Sequence, residues 1–229
     1  MKLLFLDTET TDLDPGRRLV QLAYKNATTG VVVNEFFKPP VPISVGSMAV
    51  HHITNEMVAD RPVFAESPHF AALVRELDGA VVVAHNAPFD VGVLKNEGVT
   101  VARWIDTCRV ARHLVTSEQY SLQYLRYFLK LPAVGVAHDA LGDITILEAL
   151  FHHLSGAVTD GEVVDKLLEL TATPVLLTSI NFGKYRGKTF AEVASADRDY
   201  LRWLQGSELQ KPAAEQNEEL VFTLGLYCK

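Results

Sequence analysis

At 229 residues, with 48% hydrophobic and 21% charged side chains, the chain is long enough for one α/β domain and a small appendage, and its composition excludes wholesale disorder. Two cysteines 120 positions apart, Cys108 and Cys228, argue against a disulfide framework or a zinc cluster, and an apolar opening broken at Asp7 is too short for a signal core or membrane span, so a soluble, cytoplasmic protein is expected. A net charge of −7 speaks against a nucleic-acid partner, but residues 180–206 carry five Lys/Arg against three Asp/Glu, and bound metal would offset part of the acidic excess.

Residues 2–9 form a nearly continuous apolar run ending in polar residues, the pattern of a central strand, with Asp7 and Glu9 at its carboxyl end. Segments 18–25 and 31–37 are rich in β-formers and are separated by Asn26-Ala27-Thr28-Thr29-Gly30, which predicts a hairpin and hence a three-stranded antiparallel start. After Pro39, Pro40 and Pro42, helical segments are expected at 48–52, at 55–58 behind Thr54, and at 69–77 before Gly79. Residues 80–84 read as a buried strand. Asn86 and Pro88 read as the cap and first-turn proline of a helix running to Leu94, with Asp90 in its first turns.

A short strand at 104–106 and helices at 108–114, 122–129 and 141–154 continue an alternation of strands and helices, which marks an α/β fold. One more helix at 163–170 leads into Thr171-Ala172-Thr173-Pro174, the expected linker. Beyond it, residues 181–188 form a glycine-turned basic and aromatic hairpin candidate, followed by helices at 190–194 and 200–204. The expected domains are 1–172 and a small C-terminal module, 178–229.

Asp7 and Glu9 stand two positions apart on a strand, so their carboxylates share one face while Thr8 takes the other. Two acids on one buried face shift toward protonation unless positive charge is supplied, and no Lys or Arg lies within this segment. A divalent cation with oxygen ligands meets that need. An Asp-x-Glu pair alone is common, but Asp90 behind His85-Asn86-Ala87-Pro88-Phe89, and Asp143 five residues after His138, fall at strand ends and helix starts, where α/β folds place ligands.

Asp7-Thr8-Glu9-Thr10, His85 to Asp90 and His138-x4-Asp143 resemble, in order and spacing, the three motifs of the histidine-containing branch of the DnaQ-like 3′-5′ exonuclease superfamily, which includes the proofreading subunit of bacterial DNA polymerase III. Ser47-Met48-Ala49-Val50-His51-His52-Ile53-Thr54, and Phe182-Gly183-Lys184-Tyr185-Arg186-Gly187-Lys188 with Tyr200-Leu201-Arg202-Trp203-Leu204, resemble the exodeoxyribonuclease X family. The resemblance implies a ribonuclease H-like mixed sheet flanked by helices. It implies a phosphodiesterase with two Mg²⁺ ions, or Mn²⁺, held by Asp7, Glu9, Asp90 and Asp143, with Asp7 bridging them. His138 would be the general base, since an imidazole accepts a proton near neutral pH. The expected partner is the 3′ end of DNA, cut to nucleoside 5′-monophosphates in repair or end trimming. RNA is the rival substrate and a non-catalytic adaptor the rival class; an adaptor has no need of all five residues.

Thr10, Leu13, His51, Asn86, Lys184 and Arg186 are the candidate substrate contacts. Leu13 fits two readings: an apolar wedge against the terminal base, or an ordinary loop anchor. The tail also fits two: a DNA grip through Lys184, Tyr185, Arg186, Lys188, Arg198, Arg202 and Trp203, or a small core around Phe182, Phe190 and Trp203. His152-His153 reads as a favourable helix end.

Overall fold

The computed structural model describes residues 2–132, 140–158 and 162–229. It divides into two compact units, Met1–Thr171 and Ala172–Lys229. Among the described residues the first unit holds one sheet of five strands: β1 (Lys2–Thr10), β2 (Leu19–Asn26), β3 (Val32–Phe36), β4 (Ala80–Ala84) and β5 (Trp104–Asp106), in the order β3-β2-β1-β4-β5. β1 pairs antiparallel with β2 and β2 with β3, while β4 runs parallel to both β1 and β5. This is the expected mixed sheet with a three-stranded antiparallel start.

The helices of this unit are α1 (Val45–His51), α2 (Asn55–Val58), α3 (Pro68–Leu77), α4 (Ala87–Asn96), α5 (Thr107–Leu114), α6 (Leu122–Phe128), α7 (Ala140–Gly156) and α8 (Val163–Ala172). Both faces of the sheet are covered, which is why β1 and β4 read as unbroken apolar runs. Leu4, Leu6, Val82 and Ala84 pack with Leu73 of α3 and Val93 and Leu94 of α4. Phe5, Val81 and Val83 pack on the other face with Val110 of α5, Leu125 of α6, and Ile144, Leu147, Leu150 and Phe151 of α7.

Those four α7 side chains hold the helix down, each contributing about 1.5–3 kcal/mol on full burial. Lys25 also reaches Glu148 at 2.6 Å, but the two side chains are 34% and 23% exposed, so this ion pair adds at most about 1 kcal/mol.

Three expectations change. Asn86 precedes α4 with a left-handed φ of 66° and makes no side-chain cap bond, and the helix continues to Asn96. The expected linker begins too early, because α8 runs through Ala172. Thr171 is fastened to the first unit: its hydroxyl accepts from the Asp106 amide at 3.0 Å and its carbonyl from Arg109 at 3.1 Å. The 181–188 segment is not a hairpin of strands. A single bridge, Ser179 to Thr189, closes a loop whose centre is a 3₁₀ turn, Gly183–Tyr185. Glycine is needed there, with φ at 62° and the Tyr200 hydroxyl 3.1 Å from where a Cβ would stand.

The second unit continues with α9 (Phe190–Ala196), α10 (Arg198–Leu209) and α11 (Glu218–Tyr227). The sequence reading has no counterpart for α11. Thr189 and Glu192 form a reciprocal capping box that starts α9. Ile180, Phe190, Val193, Leu201, Leu220 and Leu224 make the core. Phe190 belongs to that core, whereas Phe182 and Trp203 are 39% and 63% exposed. No helix among the described residues is long and apolar enough to cross a membrane.

Candidate active site

β1 delivers the first acids. Asp7 and Glu9 are half-buried on the face that carries Phe5, and Thr8 is buried on the opposite one. The pairing of β1 with β2 shifts register between Glu9 and Thr10, and such a bulge turns the strand end and re-aims its side chains. Asp143, in the first turn of α7, comes over the same face: ligand oxygens of Asp7, Glu9 and Asp143 all lie within 4.8 Å of one another. At that separation each pair of charges repels by roughly 3–4 kcal/mol at an effective dielectric near 20. An oxygen-only donor set of three carboxylates fits a hard divalent cation, which turns this repulsion into attraction. Gln123 of α6 donates to Asp143 Oδ1 at 2.6 Å and so orients the carboxylate.

Asp90 is anchored through Thr8, between Asp7 and Glu9 in the chain. Only 3% exposed in the first turn of α4, it accepts the Thr8 hydroxyl at 2.7 Å. Burial pushes its pKa up to about 7, a rise opposed by the Thr8 hydrogen bond and reinforced by the charge of Asp106. Asp7, Glu9 and Asp143 thus come together, and Asp90 is hydrogen-bonded to Thr8, whose side chain leaves β1 on the opposite face.

Asp106 sets the approach to α4. Its Oδ1 accepts the amides of Asn86 at 2.9 Å and Cys108 at 3.0 Å, pinning the left-handed Asn86 turn while capping α5. His85 is bound in as well. Its Nε2 lies 2.8 Å from the Tyr120 carbonyl and must donate to it, and its Nδ1 is 2.9 Å from the Thr107 hydroxyl. Burial lowers its pKa.

Residues 4–151 match the family model described as exonuclease, and residues 180–205 the one described as exodeoxyribonuclease X-like C-terminal. The chain belongs to the exonuclease family. It is 37% identical over 210 residues to exodeoxyribonuclease 10 of Escherichia coli K12, covering 88% of this chain and 90% of that protein. A solved structure of exonuclease X in complex with 5′-overhanging duplex DNA superposes with a TM-score of 0.60 at 32% identity, covering 74% of this chain and 99% of the other. The E. coli exonuclease I complex with a dA16 oligonucleotide, at 18% identity and a TM-score of 0.58 over 73% of this chain and 42% of its own, shares the fold.

Of the other residues singled out from the sequence of this exonuclease, His138 lies outside the described residues. Thr10 is buried and donates its hydroxyl to the Asp12 carbonyl at 2.7 Å. His51 is spent inside the protein. Its Nδ1 accepts the Ile53 amide at 3.0 Å, so Nε2 carries the proton and donates to the Thr10 carbonyl at 3.1 Å, and burial pushes its pKa down. Both ring nitrogens of His51 are thus engaged within the protein. Leu13 is 77% exposed in the loop after β1, and the Asn86 side chain is exposed.

In the second unit Lys184 is engaged by Asp197 at 2.9 Å and lies over the Tyr185 and Tyr200 rings, while Arg186 is exposed. With the Tyr185 hydroxyl, Lys184 holds Asp197 down at about 2.

Sequence reasoning missed Thr8, Asp106 and Gln123 as members of this site. Thr8 and Asp106 sit at strand ends beside motif residues, a signal that was available. Gln123, on a helix between motifs, offered none.

Proposed function

We propose that this exonuclease is a 3′-5′ exodeoxyribonuclease that hydrolyses the terminal phosphodiester of DNA and releases nucleoside 5′-monophosphates. The observation that carries this reading is the convergence of Asp7, Glu9 and Asp143 to within 4.8 Å at the carboxyl end of β1. The similarity to exodeoxyribonuclease 10 supports DNA as the substrate. Mg²⁺ or Mn²⁺ suits the oxygen donors, and Asp7, Glu9, Asp90 and Asp143 would hold the ions. When bound, two such ions stabilise charge on the attacking and leaving oxygens of an in-line displacement.

The chain supplies the rest. Thr8 and Gln123 orient Asp90 and Asp143, and His138 takes the proton from the attacking water. Thr10 follows Glu9 at the end of β1, Asn86 opens the helix of Asp90, and Leu13 presses on the terminal base. In the second unit Arg186 meets backbone phosphate, and the exposed face of Trp203 stacks on a base; Lys184, held by Asp197, shapes the loop. A reducing cytoplasm fits the two cysteines, Cys108 and Cys228, kept as thiols.

The test uses the purified protein with Mg²⁺ on 3′-labelled and 5′-labelled DNA and RNA oligomers, with EDTA and Asp7→Ala as controls. Shortening of DNA from its 3′ end, abolished by both controls, is expected. Degradation confined to RNA would move the substrate, and binding without hydrolysis would leave an adaptor.

A further inference from the structure

The loop that carries Leu13 is fastened along α4, the helix of Asp90, and Arg17 both braces the loop from within and reaches the helix. Thr11 and Arg18 close its base through two hydrogen bonds of 3.0 Å. From inside the loop, Arg17 Nη1 donates back to the Asp14 carbonyl at 2.9 Å and to the Leu13 carbonyl at 3.4 Å. Its Nη2 donates to the Phe89 carbonyl at 3.1 Å, and the guanidinium lies 4.0 Å from the centre of the Phe89 ring. Phe89 immediately precedes Asp90.

The helix is shaped to receive this group. Nη2 comes within 3.0 Å of where a Cβ on Gly92 would stand, so a side chain at that position would make the guanidinium give by a few tenths of an ångström. Asn96, one turn further on, donates to the Pro15 and Arg17 carbonyls at 2.9 Å each, and Glu97 forks onto Arg18 at 2.8 and 2.9 Å. The placement has a cost, because Arg17 Nε is buried with no acceptor among the described residues.

We infer that Arg17 is a positioning residue for Leu13: by locking the loop onto α4 beside Asp90, it fixes the exposed apolar side chain relative to the acids and makes attack on duplex ends depend on that lock. The inference rests on the reading of Leu13 as the group that presses on the terminal base. A loose loop would spread Leu13 over many positions and lose most of its effect on a base pair, whereas an already single-stranded end has no pair to open.

The experiment measures the ratio of duplex-end to single-strand hydrolysis for wild type, Arg17→Ala, Gly92→Ala, Leu13→Ala and the Arg17→Ala/Leu13→Ala double variant. The ratio is expected to fall on the order of tenfold in Arg17→Ala and in Leu13→Ala, with the double variant no worse than either, the non-additivity of residues acting as one unit. Gly92→Ala keeps Arg17, introduces a better helix former and crowds the guanidinium only slightly, so the ratio should fall in it by less than in Arg17→Ala. A lowered ratio in Leu13→Ala with an unchanged one in Arg17→Ala would overturn the inference while leaving the wedge standing. An unchanged ratio in Leu13→Ala would overturn the wedge and the inference with it, and additive losses in the double variant would show that Arg17 acts elsewhere.

Discussion

Thr8 donates its hydroxyl to Asp90 Oδ1 at 2.7 Å, across the strand face opposite to the one that gathers Asp7, Glu9 and Asp143. The strand end is thus gripped from both sides, by α7 through Asp143 and by α4 through Asp90. A metal centre built there would draw on both layers of helices.

The burial of Asp90 has a consequence for the metal-free protein. Its pKa rises from 3.8 to about 7, so between those values the folded chain holds a proton that the unfolded chain has released. Stability therefore falls as pH rises through that window, at about 1.4 kcal/mol per unit and a few kcal/mol in all. Asp90→Asn keeps an acceptor for Thr8 without the charge. In EDTA it should be the more stable form at pH 8, with the advantage gone at pH 4, as read by guanidinium unfolding. Equal stabilities at pH 8 would count against this electrostatic account.

Gln123 touches a candidate ligand rather than a metal, so its loss should appear in affinity. Gln123→Ala is expected to weaken Mn²⁺ binding by about 10-fold to 100-fold, the usual effect of removing an orienting hydrogen bond. Titration calorimetry reads it directly. Unchanged affinity would mean that Gln123 does not orient Asp143 for the metal.

His138→Ala separates proton transfer from ion binding. Turnover should drop by about 10²-fold to 10⁴-fold while Mn²⁺ affinity stays at the wild-type value. Near-full activity would remove His138 from the reaction, and lost metal affinity would make it a ligand instead.

In the second unit, exposure distinguishes binding from core. Trp203→Ala should cost about 1–3 kcal/mol of single-stranded DNA affinity, as loss of a stacking face does, and leave the melting temperature unmoved because the ring is 63% exposed. Phe190→Ala should do the reverse, destabilising by about 3–5 kcal/mol through the cavity it leaves. Fluorescence anisotropy with a labelled oligonucleotide, beside thermal melts, checks both.

Much of the architecture could be read before any coordinates. The apolar runs at β1 and β4 are buried on both faces, and for such strands composition and punctuation suffice. Elements set by long-range contact were harder. α8 continues past its apparent end because Thr171 bonds to Asp106 and Arg109. The 181–188 loop has glycines and aromatics like a hairpin, yet its residues satisfy one another locally and form a 3₁₀ turn.

The sequence by itself determined the acid spacing on β1, the α/β alternation and the motif order, because strand period, turn chemistry and apolar runs are local properties. Tertiary structure decided which acids meet. Strand alternation put Thr8 on the far side of Asp7 and Glu9, and only the packing of α4 turned that position into the anchor of Asp90. Only the packing of α6 against α7 brought Gln123 to Asp143, since a side chain's partners follow from where helices rest on a sheet and not from its neighbours in the chain.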